Sequence, residues 1–167
     1  AVEGDALYRA QNFDEAEALY QQALDSLIAL EARLNDEIDS RLALLLEAIE
    51  SGDETTAGAI APLVEQMAPD SDAVFDAVER VPLMPDIADL EAAAKASFEQ
   101  GRFSTAVSQI DEALGLDPAH QRLAKVARLY KSALTTQRFE DAMTTGFTLL
   151  GDSDFAGARA SFQSAKR

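Results

Sequence analysis

Cysteine is absent, which excludes disulfides and thiolate metal sites. That absence fits a reducing or an oxidising compartment equally. No run of about 18 apolar residues occurs, so no transmembrane span lies within the chain. Glycine (8) and proline (5) are scarce in 167 residues. The chain is therefore short of helix breakers, and its Ala- and Leu-rich composition favours helices. A single histidine, His120, must serve any triad that needs one. Positive charge is short as well: 14 Lys and Arg face 30 Asp and Glu, for a net charge of −16. Nucleic acid and anionic lipid are poor partners for such a surface, because like charges repel.

Hydrophobic residues make up 47% and charged residues 26%, enough to build a core and too apolar for global disorder. The charge is lopsided. Residues 1–90 hold 21 acids and 4 bases, whereas residues 91–167 hold 9 acids and 10 bases. The acidic half reads as a solvated surface that keeps the protein soluble. No charged-then-apolar leader is visible, the first residue is Ala1, and a helical pattern runs to Arg167 without a stop signal. The expectation is a piece of a longer protein, with a lean toward a bacterial periplasmic or other extracytoplasmic fragment.

Apolar residues recur at intervals of three and four, never at a sustained interval of two. Phe13, Ala16, Leu19, Tyr20, Ala23, Leu24, Leu27 and Ile28 form one stripe, continued by Leu34, Ile38, Leu42, Leu45 and Ile49. Neither Gly nor Pro interrupts residues 14–51. The spacing favours one long helix of about 55 Å over a turn near Asn35 and Asp36. Further helices are expected at 54–68 (kinked or started by Pro62), 72–80, 87–100, 104–115, 119–135, 139–150 and 155–166. Two prolines in VPLMPD make 81–86 the linker between an acidic part, 1–80, and a second part, 86–167.

The stretch EQGRFSTAVSQIDEALGLDP, residues 99–118, carries the clearest punctuation. Gly101 ends one helix in a left-handed conformation. Phe103 fills the elbow, Ala106 lets two backbones approach, and Ile110, Ala113 and Leu114 continue the inner face. Pro118 opens the next helix. This order resembles the tetratricopeptide repeat, a helix–turn–helix unit of 34 residues. It recurs with Phe13, Ala16, Tyr20, Ala23 and Leu24, where Gln11 stands for the glycine. It recurs again with Gly52, Ala57 and Pro69, with Phe139 and Ala142, and with Phe155, Ala158, Phe162 and Ala165. Gly146 falls where the fourth copy wants a large residue. The resemblance implies an all-α fold of antiparallel helical hairpins, stacked as an irregular solenoid in a single helical-repeat domain.

Chemistry is sparse. His120, just after Pro118 at a helix start, is expected to be solvent-exposed rather than catalytic. The acidic pairs Asp70/Asp72 and Asp152/Asp154 lack the glycine and terminal glutamate of a calcium loop and read as helix caps. No phosphate-loop or dinucleotide signature occurs. Neither an enzyme activity nor a cofactor nor a metal is expected. Arg122, Lys125, Arg128 and Lys131 follow at every third residue. They form a basic ridge, read either as a solvated face or as a site for an acidic peptide.

The family resemblance implies a concave groove on the inner faces of the first helices. Lys95 stands six residues before Gly101, and Lys131 stands six before Gln137, the matching hinge position. Phe98 and Leu134 follow three residues later, and Glu91 precedes Lys95 by one helical turn. Asp5 holds the matching place in the first unit, and the Asn residues of carboxylate-gripping members are missing. The resemblance thus implies a surface for a protein or peptide partner and leaves its ligand open. Self-association through the long helix, in a spacer of a larger, possibly membrane-tethered protein, is the alternative.

Overall fold

The structure, a computed structural model, describes residues 2–165. Among these residues the chain is all-helical and holds no strand. The elements are α1 (Val2–Arg9), α2 (Phe13–Ser51), α3 (Glu54–Met67), α4 (Asp72–Arg80), a 3-10 turn (Val81–Leu83), α5 (Met84–Glu99), α6 (Phe103–Leu116), α7 (Gln121–Gly151) and α8 (Phe155–Ser164). Among the described residues no helix is long and apolar enough to cross a membrane. The last helix was expected to reach residue 166, which lies outside the described residues.

Residues 81–86, read as a linker, form a 3-10 turn running into α5, and the boundary between the chain's two compact units falls just before them, between Val78 and Glu79. Pro82 and Pro85 lie in the first turn of these two elements, where a missing N–H costs little. One expectation is corrected here: there is no hinge at Gln137, because α7 is one helix of 31 residues. No Gly or Pro lies between Gln121 and Thr145. The Thr135 and Thr136 hydroxyls donate back to the carbonyls of Lys131 and Ser132, at 2.9 and 3.1 Å, so they are satisfied without opening the helix. Pro62 likewise lies inside α3 without ending it.

Four turns share one geometry. Gln11, Gly52, Gly101 and Ser153 have φ of +66°, +80°, +70° and +65°. At each, the N–H of the hinge residue donates to the carbonyl three back, and the next N–H donates to the carbonyl five before it. At Gly101 the pairs are Gly101 N to Phe98 O at 3.0 Å and Arg102 N to Ser97 O at 2.9 Å. This is the Schellman closure, which satisfies carbonyls that a helix end leaves bare. Only two of the four hinges are glycine. Gln11 and Ser153 adopt the left-handed region at a cost of about 1–2 kcal/mol each.

Counting from the hinge reveals the packing rule. Five residues on stand Ala16, Ala57, Ala106 and Ala158, all fully buried. Seven residues before stand Gly4, Leu45, Ala94 and Gly146; nine after stand Tyr20, Ala61, Ile110 and Phe162. Tyr20 lies on Gly4, and the Phe162 ring lies on Gly146. Ala94 and Ile110 share one apolar cluster. Small meets large in these three hairpins, and the order reverses at Leu45 and Ala61, both buried. The fourth hinge thus precedes Ala158, which the sequence pattern also marks, whereas Ala142 lies within α7 with no hinge before it. Two elbow aromatics behave alike: Phe13 meets Tyr8 edge-on at 5.3 Å, and Phe103 meets Phe98 at 4.9 Å. Phe139 sits on continuous helix and is half exposed.

The described residues form two compact units. One comprises the chain up to Glu47 with Thr55–Val78; the other comprises Ala48–Glu54 and the chain from Glu79 onward. In the second, α5 packs on α6, α6 on α7 and α7 on α8. Its core gathers Ile87, Ala94, Ala106, Ile110, Leu123 and Tyr130. Phe98 stacks on Tyr130 with centroids 4.3 Å apart. In the first unit, every residue of α2 from Gln21 to Glu37 is exposed.

Candidate functional site

The second unit contains a cavity of about 320 Å³. Helix α5 supplies one wall, because Ile87, Ala88, Glu91, Ala92 and Lys95 recur at helical spacing on one face. Ile49, Ser51 and Gly52, at the end of α2, and Met84 line it too. His120 and Arg122, at the start of α7, complete the lining. Apolar side chains form much of the wall, and Glu91, Lys95 and Arg122 bring charge to it.

What holds these walls is a network around Glu50. Its carboxylate caps α7 from 71 residues away. Oε1 accepts from Gln121 N at 3.1 Å, and Oε2 accepts from Arg122 N at 3.0 Å. The first-turn N–H groups of a helix lack internal partners and favour negative charge, so a carboxylate satisfies both needs. Arg80 then bridges Glu50 Oε1 at 3.2 Å and Asp117 Oδ2 at 2.9 Å. The Arg122 guanidinium donates from Nε to the Glu50 carbonyl at 2.7 Å and grips both carboxylate oxygens of Glu91. Burial alone would raise the Glu50 pKa. Its bonds from the Arg122 and Gln121 N–H groups, with His120 and Arg80 beside it, outweigh burial and hold it below the ordinary glutamate value.

His120 is not solvent-exposed as expected: only 2% of it is accessible. It stands at the N-cap position of α7, without a side-chain capping bond, in the turn that Asp117 and Arg80 pin down. Its Nδ1 lies 3.0 Å from Glu50 Oε2 but without the alignment of a hydrogen bond.

The residues singled out from sequence fall in different places. Glu91, Lys95 and Arg122 line the cavity. Lys95 is exposed and, among the described residues, makes no ion pair. Phe98 is engaged in the aromatic stack with Tyr130. Lys131 pairs with Asp111 at 2.8 Å, and Leu134 is half buried. Lys125 and Arg128 are exposed, with Arg128 Nε donating to the Ala124 carbonyl at 3.2 Å. The basic ridge is thus not uniform, since Arg122 is neutralised within the network. Sequence reasoning missed Glu50, Arg80 and Asp117. Their partners lie 30 to 72 residues away, beyond any local spacing.

No family model matches the chain, and neither a curated protein nor a solved structure is detectably similar to it.

Proposed function

We propose that the chain is a non-enzymatic, tetratricopeptide-like interaction module, built as an irregular solenoid, that holds a segment of a partner protein in the cavity beside α5. The observation that carries this reading is the pairing of an apolar wall with Lys95, a cation free of any ion pair among the described residues. An apolar side chain of the partner fills the cavity, and an acidic group beside it meets Lys95. Four hinges of one geometry, each followed by a buried alanine, support the repeat reading. The partner is then an acidic, partly hydrophobic protein segment.

The test compares capture of partners from native extract by the wild type, Lys95→Glu, and Ala92→Trp, which fills the cavity. With helicity unchanged, both variants are expected to lose the captured species. Capture that persists in both refutes the cavity as the site. Lys131→Glu decides its extent, because loss of capture there carries the groove along α7.

A further inference from the structure

The exposed stretch of α2, residues 21–37, presents an apolar stripe of Leu24, Leu27 and Leu34 at helical spacing that no described residue buries. Tyr20, whose ring packs on Gly4, and the half-buried Ile38 continue the same face at its two ends. Leu27 is 61% exposed, and Ile28 and Leu30 widen the stripe on either side. From Tyr20 to Ile38 it runs for about 27 Å, or five turns. One place in the series is not apolar. Glu31 stands where the repeat between Leu27 and Leu34 calls for a hydrophobe. Glu17 borders the same face one turn before Tyr20, and Glu37 lies at its other edge.

Charge decides what covers this stripe. The unit that carries it holds 15 acidic residues against 3 basic ones. A second copy would set two such fields face to face and press a Glu31 from each chain into an apolar seam, where an unpaired carboxylate is costly. Anionic lipid meets the same repulsion. A helix with basic edges meets attraction instead, and a cation at the centre of its own apolar stripe pairs with Glu31. One polar pair in an otherwise apolar seam also fixes register and partner choice.

We infer that residues 20–38 of α2 are a docking surface for a basic amphipathic helix of a partner protein, read in register by Glu31. This inference is independent of the cavity beside α5, which lies in the other unit.

The probes are two labelled leucine–lysine amphipathic peptides of about 20 residues. They are identical except at the centre of the apolar stripe, where one carries Lys and the other Glu. Fluorescence anisotropy is expected to show the central-Lys peptide binding the wild type about tenfold tighter or more. Glu31→Lys is expected to reverse that preference. Leu27→Ser with Leu34→Ser is expected to weaken the central-Lys peptide by about tenfold. Asp25→Asn with Asp36→Asn, which removes two charges from the opposite face, is expected to leave it nearly unchanged. Equal binding of the two peptides, or equal loss from the opposite-face variant, overturns the inference, because the attraction is then a general charge effect. A wild-type dimer in light scattering that Leu27→Ser dissolves also overturns it, because the occupant is then a second copy.

Discussion

Replacing Gly146 by Ala sets two magnitudes against each other. At a helix interior the change ordinarily stabilises by about 1 kcal/mol, because glycine gives up more backbone freedom on folding. Here the new methyl would lie 2.6 Å from Cδ1 and 2.8 Å from Cζ of Phe162, and nearer still to Cε1. Carbon atoms rest at about 3.5–4.0 Å, so the ring must retreat by roughly 1 Å. The ring is half buried and borders a cavity with Leu150, Phe155 and Ala158, but two contacts oppose its retreat. Phe147 meets it edge-on at 5.2 Å, and the Ser161 hydroxyl, one residue away, is bonded to the Ala142 carbonyl at 2.8 Å. Overpacking of this kind costs about 1–3 kcal/mol. The clash wins, and Gly146→Ala is expected to destabilise the α7–α8 hairpin by about 1 kcal/mol. Gly58→Ala is the matched control. It also lies inside a helix but has nothing within 4 Å of the added atom, so it should stabilise by about 0.5–1 kcal/mol. Urea unfolding followed by circular dichroism gives both signs, and hydrogen exchange read on α8 locates the loss. In a Phe162→Leu background the penalty of Gly146→Ala should shrink or vanish. If Gly146→Ala instead protects α8 as Gly58→Ala protects α3, the small-to-large packing rule across the hinges is wrong.

The hinges and the Glu50 cap make two further tests. Gln11→Gly should stabilise the α1–α2 hairpin by up to about 1 kcal/mol, since φ of +66° suits glycine better. Gly101→Ala should destabilise by about 1–2 kcal/mol for the converse reason, although nothing within 4 Å obstructs the methyl; urea midpoints check both. Because the folded-state pKa of Glu50 is depressed, its contribution is complete above the ordinary glutamate value and is lost as pH falls through the depressed one. Glu50→Gln should therefore lower stability by about 1–3 kcal/mol at pH 7 and leave a shallower acid slope than the wild type. Parallel urea titrations between about pH 7 and pH 3 measure it, and superimposable slopes would refute the assignment.

The helical class was legible because periodicity of three and four is a local property, as were the turns at Gly52 and Gly101. What was not legible has physical causes. Phe139 and Ala142 mimic an elbow, but no breaker stands near Gln137, and Thr135 and Thr136 bond their own helix, so α7 continues. Ser153 takes a left-handed conformation that no glycine advertises. The cavity's lining from α5 could be read from Glu91 and Lys95, one turn apart. Its other half could not, because Glu50 meets the start of α7 only through folding. His120 was read as exposed for the same reason, since position at a helix start says nothing about what approaches from 70 residues away.

Gly146 exposes the deeper reason that the four hairpins look unlike in sequence. Judged alone, a glycine where an inner face wants bulk is a defect. Judged with Phe162, sixteen residues on across the hinge, it is half of a pair whose volumes are complementary. Gly4 with Tyr20 is another, and Ala94 with Ile110 a third. Leu45 and Ala61 keep both positions buried with the sizes exchanged. A closely packed interior constrains the volume of the pair more tightly than either member. Single positions are then free to drift between glycine, alanine and leucine while the hairpin stays the same. A residue-by-residue pattern fades under such exchange, whereas the hinge, the buried alanine five residues on and the paired volume persist.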